Sequence, residues 1–261
     1  MYLAGIWVLL YDYWAFSSLV DTISLRVEAC LYMKRSRLAL LIFLASLSTC
    51  LAGPILWYNG DFNGVNAVAN ERNTIVTQAA TYDNFIVSAG QWTIGAVFSN
   101  NLSFDMTPVA ADWEIRSGVS AGNGGTLVAS GTTGANFSWT PTGRSGFGYF
   151  EYSLRVWGLN VSLPAGTYWL MVVPAGSGSG RSYVSTTSGT NAVGSPPGND
   201  YNSFFDSTYF GYQFTPMVNV LTYPSDFSMG VEGTGIPEPA SLALVGLGLL
   251  GLARCARRRR V

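Results

Sequence analysis

The sequence FEYSLRV, residues 150–156, carries the pattern that decides the fold. An aromatic or aliphatic side chain stands at every second position, beginning with Phe150, and Glu, Ser and Arg stand between them. Successive side chains of a β-strand point to opposite faces of the sheet, so this period of two predicts a half-buried strand. The same alternation recurs in residues 92–98 and 112–116.

Further segments are rich in aromatic and branched residues and predict additional strands. These segments are residues 82–88, 126–130, 167–173, 209–214, 218–222 and 227–232. Turn signals separate several of them. Asn-Gly-Gly at 123–125 predicts a hairpin, and Leu-Pro-Ala-Gly at 163–166 predicts a turn into the strand that follows.

The order of these segments predicts the architecture. Residues 53–235 contain no apolar stripe of helical period with caps. Short strands joined by glycine-rich turns are typical of a sandwich or barrel, and we expect an all-β, jelly-roll-like β-sandwich over residues 53–232. A long stretch, 174–207, is predicted to be an irregular loop, and a loop of that length is usually functional or disordered.

The composition of residues 53–235 excludes several kinds of chemistry. This part of the chain contains no His, no Cys and no Lys, since the three cysteines stand at positions 30, 50 and 255. It can form no disulfide, no zinc site built on Cys and His, and no catalytic centre that needs a His base. The sequence predicts no resident cofactor.

The charge of the same part narrows the choice of partners. Five arginines stand against eleven carboxylates, a net charge of −6. Binding to nucleic acid depends on neutralising phosphates, so we expect no nucleic-acid partner. Neutral sugar polymers and cations such as calcium are better matched to this surface.

The last 26 residues have a distinct organisation. Pro237-Glu238-Pro239 precedes an uncharged apolar run, 240–253, and the chain closes on basic residues. The run predicts a transmembrane helix, because only a helix satisfies its own backbone within lipid. Basic residues stay on the cytoplasmic side, which places the tail inside and the rest outside. The membrane-stop residues are Arg254, Arg257, Arg258, Arg259 and Arg260.

This order of elements resembles the PEP-CTERM sorting tail, over residues 233–261. The resemblance implies an exported protein of a Gram-negative bacterium, processed by an exosortase, a membrane-embedded transpeptidase. The run of 14 residues is about 21 Å long as a helix, shorter than a hydrocarbon core of roughly 30 Å. A short anchor beside a rigid Pro-Glu-Pro favours a processing signal over the alternative, a plain C-terminal membrane anchor.

The start of the chain predicts an export signal at residues 33–52. A basic segment follows Met33, an apolar segment covers 38–47, and small residues precede a cleavage site between Ala52 and Gly53. Signal peptidase is therefore an expected partner. A lipoprotein signal ending at Cys50 is an alternative, although the residue before that cysteine is a large one, Thr49.

Residues 1–32 have no role in this scheme, and we interpret them as a mis-annotated upstream extension with translation starting at Met33. An additional membrane segment at 2–20 is the alternative. It would place Asp12 at its centre, where a carboxylate costs about 2.5–3.5 kcal/mol on insertion scales.

Candidate ligand contacts are aromatic residues outside clear alternation. They are Trp57, Tyr58, Tyr201, Phe204 and Phe205. Tryptophans within strand patterns are predicted to lie in the core instead, namely Trp92, Trp113, Trp157 and Trp169.

Oxygen-bearing residues suggest two other kinds of site. Calcium ligands could come from Asn199, Asp200 and Asp206 or from Asp61 and Asn63, although neither group matches the EF-hand loop pattern. Asp112 and Glu114 fall on one face of a predicted strand and could form the carboxylate pair of a glycosidase. A solvated polar face explains the same pattern.

Together these features predict an exported structural or binding protein of the cell surface or extracellular matrix. It would pass through an inner-membrane intermediate and bind exopolysaccharide. The alternative is a carboxylate-dependent glycoside hydrolase or lyase; we expect no enzyme.

Overall fold

The computed structural model describes residues 53–236, apart from Asn199. The predicted signal peptide, the segment before it and the tail from Pro237 lie outside the described residues. Within residues 53–236, no helix is long and apolar enough to cross a membrane.

The described residues fold into an all-β structure with one short helix, so the predicted all-β class is confirmed. The strands are β1 (Ile55–Tyr58), β2 (Phe62–Ala69), β3 (Ala80–Phe104), β4 (Pro108–Ser117), β5 (Thr126–Thr133), β6 (Phe137–Gly146), β7 (Tyr149–Gly176), β8 (Arg181–Thr187), β9 (Phe204–Ser207), β10 (Tyr212–Pro216), β11 (Asp226–Phe227) and β12 (Met229–Ile236). The helix is α1 (Met217–Leu221).

The two longest strands, β3 and β7, organise the sheet. The main path runs β1-β12-β3-β7-β4-β5, and the paired strands are antiparallel. The first part of β7 pairs with β6, and its last part pairs with β4. β8 joins β2, β3 and β11, and β9 joins β3 and β10.

Apolar side chains on both faces of β7 are buried. Within residues 169–173, Leu170 and Val172 belong to the large core cluster, which also contains Phe85 and Phe227. The alternate residues of the same segment belong to a second cluster with Tyr82. A strand that packs on both faces reads as a continuous apolar run, which accounts for the sequence of this segment.

Three predicted elements differ from the structure. Residues 163–166 form no turn, because β7 continues through them opposite an irregularity in the register of β3, where the missing amide of Pro164 is tolerated. The segment predicted as a loop, 174–207, contains β8 and β9 and the end of β7. Residues predicted as a strand at 218–222 form most of α1, a single turn between Pro216 and Thr222.

Other expectations agree with the structure. The hairpin at 123–125 is confirmed, since Ser117 pairs with Thr126 across it. Gly125 has φ +61° there, and a Cβ would lie 2.1 Å from the carbonyl oxygen of Ser117, so the turn requires glycine. Residues 233–236 form the end of β12 and pair with β3.

Candidate functional site

Four of the five predicted ligand contacts belong to the interior. Trp57 is fully buried and donates its indole N–H to the carbonyl oxygen of Pro196 at 3.0 Å. Tyr58, Phe204 and Phe205 are also buried, so these side chains do not form the exposed stacking surface that the sequence predicts. Tyr201 alone of the five is exposed.

The four tryptophans predicted to be core follow that prediction to different degrees. Trp113 and Trp169 are buried. Trp92 is partly buried and packs against the large core cluster, and Trp157 is also partly buried. The guanidinium of Arg155 lies 5.8 Å from the centre of the Trp157 ring, a distance compatible with a cation–π contact.

One exposed and two partly buried aromatic side chains line a groove beside the hairpin of β6 and β7. The groove has a volume of about 360 Å³. Phe150 is 69% exposed, and the rings of Trp139 and Tyr152 stack at 5.1 Å with planes 3° apart. This groove, which we call the aromatic groove, is lined by Ser103, Asp105, Met106, Thr107, Trp139, Phe150 and Tyr152.

The polar members of the aromatic groove lie beside its rings. Ser103 is directly opposite Phe150 in the pairing of β3 and β7, and Asp105 follows the end of β3. An aromatic face with hydroxyl and carboxylate groups at its edge can stack on an apolar ring face and also accept hydrogen bonds. Sequence alternation had predicted Phe150 to face the core, so the groove was missed.

The opposite side of the same hairpin also carries aromatic rings. Tyr149 lies 5.5 Å from Phe104 and 6.3 Å from Tyr183, between ring centres. Phe147, at the turn, is 59% exposed and contacts Phe62 edge-on. Aromatic surface therefore extends around the tip of the β6–β7 hairpin.

A second concave region, which we call the carboxylate cleft, brings Asp112, Glu114 and Glu71 together in a volume of about 400 Å³. Asp112 and Glu114 do share one face of β4, as the alternation predicts. Their oxygens are already engaged by neighbouring side chains. Asp112 accepts hydrogen bonds from Arg72 and Thr132, and Glu114 accepts from Tyr82 and Arg116.

Glu71 is the buried carboxylate of this cleft. Its Oε1 accepts from Arg181 Nε at 2.6 Å, and its Oε2 accepts from the Ser182 amide and Asn73 Nδ2 at 2.9 Å each. Burial raises the pKa of Glu71 despite these donors. Its bonds fix Glu71 as a structural link between β8 and the segment before β3.

A third group of carboxylates lies beside Asn59 and Asn84, whose side-chain amides donate to two of its members. Oxygens of Asp83 on β3, Asp200 after β8 and Asp226 on β11 all lie within 4.8 Å of one another. Asp83 and Asp226 are fully buried, whereas Asp200 is exposed. These three residues, the acidic triad, are close enough to share one cation.

The neighbourhood of the acidic triad raises the pKa of Asp83. Burial is the largest cause, and the charges of Asp226 and Asp200 act in the same direction. Hydrogen bonds from the amides of Phe227 and Asn84 oppose this rise without cancelling it. At neutral pH this position therefore favours either a bound proton or a bound cation.

The two calcium groups predicted from the sequence are placed differently. Asp200 belongs to the triad, while Asp206 accepts from Gln78 Nε2, and Asn199 lies outside the described residues. Asp61 accepts hydrogen bonds from Tyr58, Arg144 and Asn191. Asn63 Oδ1 accepts from the Thr186 hydroxyl.

Comparison with known proteins gives a match at the C-terminal end of the chain. Residues 235–260 match the family model of the PEP-CTERM protein-sorting motif. The chain carries a PEP-CTERM sorting tail. The resemblance noted from Pro237-Glu238-Pro239 and the arginines is thereby confirmed. No curated protein matches the chain.

The PEP-CTERM tail indicates an exported protein that is sorted through its C-terminus and processed by an exosortase-type enzyme. The match to the family model starts within β12, the last strand of the described residues. The tail therefore begins where the described domain ends. The motif is thus attached directly to a strand paired along its length with β3.

Proposed function

We propose that this chain is a surface or extracellular-matrix protein whose β domain binds exopolysaccharide after the tail has sorted it. In this proposal a signal peptide at 33–52 directs export, and the helix at 240–253 holds an inner-membrane intermediate. The match of residues 235–260 to the sorting motif carries the first half of the proposal. A jelly-roll-like sandwich is consistent with burial on both faces of β7.

The tail would work through the rigidity of its motif. Pro237 and Pro239 lack amide donors and fix their own φ near −65°, so we expect them to disfavour both strand pairing and an upward extension of the proposed helix. Glu238 would then be held in an extended segment just outside the membrane. The arginines that follow residue 253 would keep the helix from being pulled through.

The test of sorting is mass spectrometry of protein released from the surface of the native host. We expect peptides ending at or just after Pro239 and loss of residues 240–261. Replacing Pro237-Glu238-Pro239 by three alanines should stop processing and leave the full-length chain in the inner membrane. Released protein that still contains the segment 242–254 would contradict the proposal and favour a plain membrane anchor.

The aromatic groove is the surface that we assign to the polysaccharide. Pyranose rings present apolar C–H faces and a rim of hydroxyls. Phe150 and the stacked pair Trp139 and Tyr152 supply the apolar contact, and Asp105 and Ser103 supply acceptors beside it. Large exposed apolar surface on a folded domain usually marks an interaction site.

Binding can be tested with a glycan array and the exported protein. Phe150→Ala should weaken binding about tenfold or more, because truncating a central aromatic contact costs about 2 kcal/mol. Tyr209→Ala is the matched control, since Tyr209 is 49% exposed and does not line the groove. Equal binding by both variants would exclude the groove as the polysaccharide site.

A second candidate is a carboxylate-dependent glycoside hydrolase or lyase at the carboxylate cleft. The observation that favours it is the convergence of Asp112, Glu114 and Glu71 in one cleft. Against it, each carboxylate already accepts a hydrogen bond from an arginine. Sugar release from polysaccharides, abolished by Asp112→Asn and by Glu114→Gln, would replace the binding proposal with this one.

A further inference from the structure

The acidic triad brings three carboxylates together, and no arginine of residues 53–236 forms an ion pair with it. All five arginines of residues 53–236 form ion pairs with carboxylates outside the triad. Asp83, Asp200 and Asp226 nevertheless approach one another within 4.8 Å. Two of these carboxylates are fully buried, and a buried carboxylate is costly unless it is protonated, paired or bound to a metal.

Two buried amides facing the triad supply an independent observation. Asn59 is fully buried, and its Nδ2 donates to Asp83 Oδ2 at 2.8 Å. Asn84 is 2% exposed, and its Nδ2 donates to Asp200 Oδ2 at 2.8 Å. Among the described residues, neither Asn59 Oδ1 nor Asn84 Oδ1 has a hydrogen-bond partner.

An orphaned amide oxygen in a protein interior calls for an explanation, because the great majority of buried polar atoms have partners. Both orphaned oxygens belong to amides that contact a triad carboxylate. A half-turn of either amide would exchange its nitrogen and oxygen and bring the oxygen beside that carboxylate. Such an exchange becomes favourable when a cation lies between the two oxygens, or when the carboxylate is protonated and can donate to the amide oxygen.

We propose that Asp83, Asp200 and Asp226, together with the side-chain oxygens of Asn59 and Asn84, bind one calcium ion. The five residues offer only oxygen ligands, which suit hard cations and not zinc. Calcium accepts six to eight oxygens in flexible geometry, whereas magnesium retains several waters. Five oxygen-bearing residues at one site, two of them fully buried carboxylates, suit the higher coordination number of calcium better than the water-rich shell of magnesium.

The site would link three segments that are distant in the sequence. Asp83 lies on β3, Asp226 on β11, and Asp200 on the segment between β8 and β9. Backbone amides already orient two of these carboxylates, since Phe227 N donates to Asp83 and Tyr201 N donates to Asp226. A bound cation would therefore hold the segment at 188–203 against the sheet.

Calcium titration of the exported protein, first stripped with EGTA, tests this proposal by calorimetry and by thermal melting. We expect one calcium per chain with a Kd of about 10⁻⁴ to 10⁻³ M, as in extracellular modules. The melting temperature should rise with CaCl2 and less with MgCl2. Limited proteolysis at 188–203 should slow when calcium is present.

The variants compare a triad carboxylate with one outside it. Asp200→Asn should preserve the fold, because its side chain is exposed, and should weaken calcium binding at least about tenfold. Asp83→Asn should do the same if it folds. Asp206→Asn is the matched control and should bind calcium as the wild type does, because Asp206 contacts Gln78 and Phe214.

Three results would overturn the proposal. One is the absence of binding heat and of a melting shift at about 10 mM CaCl2, roughly tenfold above the expected range. Another is equal weakening by Asp206→Asn and Asp200→Asn. The third is stabilisation by acid with no calcium binding, which would show that a proton occupies the triad. None of these outcomes bears on sorting or on the aromatic groove.

Discussion

Replacing Arg181 by alanine removes the cationic half of an ion pair whose other half is fully buried. Arg181 Nε lies 2.6 Å from Glu71 Oε1, and the Glu71 side chain is 0% exposed. Loss of one partner of a buried pair leaves an uncompensated charge and costs about 3–5 kcal/mol. The amide of Ser182 and Asn73 Nδ2 still donate to Glu71, so we expect the lower end, about 3 kcal/mol.

The neighbouring residue supplies the control for burial. Arg72 Nε lies at the same distance, 2.6 Å, from Asp112 Oδ2, but Arg72 is 46% exposed. Exposed ion pairs contribute about 0.2–1 kcal/mol in double-mutant cycles. Arg72→Ala should therefore lower the free energy of unfolding by less than about 1 kcal/mol. The two substitutions remove the same group at the same contact distance and differ chiefly in burial.

The assay is urea unfolding of the purified protein, followed by tryptophan fluorescence at pH 7. In thermal unfolding of the same proteins, a domain of this size loses about 2–4 °C of Tm per kcal/mol, so Arg181→Ala should melt roughly 6–12 °C lower. Adding Glu71→Gln to Arg181→Ala should restore part of the loss, because it removes the unpaired charge. Equal losses for Arg181→Ala and Arg72→Ala would refute the argument from burial.

The pH dependence gives the same experiment a second readout. Burial raises the pKa of Glu71 above its ordinary value, so protonating Glu71 favours the folded state as the pH falls. Without Arg181 the increase in the pKa of Glu71 should be larger. The deficit of Arg181→Ala should accordingly narrow between pH 7 and pH 5, and a constant deficit would contradict the assignment of the lost stability to Glu71.

Three other predictions follow from the structure. Gly125→Ala should lower the free energy of unfolding by about 2 kcal/mol or more, because the added Cβ would overlap the backbone of Ser117. Gly122→Ala is the control, since Gly122 has φ +73° and no atom lies within 4 Å of the position of its Cβ. This control should lower the free energy of unfolding by only about 1 kcal/mol in the same urea assay. The calcium-induced rise in Tm should be larger at pH 8 than at pH 5, because a raised pKa at Asp83 makes protons compete with the cation as the pH falls; a rise independent of pH would contradict this. Protein released from the cell surface should not react with a thiol reagent, because residues 53–236 contain no cysteine, and labelling would show that a terminal segment is retained.

The sequence predicted the strands best where one face is buried and the other is wet. In β4, Ala111, Trp113 and Ile115 are buried while the residues between them are partly exposed, as the alternation requires. The pattern fails in the first part of β7, where Phe150 is exposed and Glu151 is buried. Glu151 is stabilised there by Arg144 and Thr142, which lie on β6.

The two-residue period of a strand shows which side chains share a face, but it does not show which of the two faces is buried. Near the β6–β7 hairpin Phe150 is 69% exposed, whereas Leu154, on the same face of β7, is fully buried. That choice depends on the packing of distant strands, which no window of seven residues contains. The aromatic groove could therefore be found only once the strands were placed.

The acidic triad was even harder to predict from a local sequence pattern than the aromatic groove. Sequence motifs for calcium place several ligands in one short loop, whereas here each carboxylate comes from a separate element and the partners of Asp83 follow it by more than a hundred residues. Bringing such distant segments together costs loop-closure entropy, and three like charges at the meeting point add repulsion. A cation that binds all three offsets both costs at once, so its effect should concentrate on the segment of Asp200, the one exposed member of the triad. Protection of that segment by calcium, with the rest of the sheet unchanged, is the outcome that separates a structural cation from a general effect of salt.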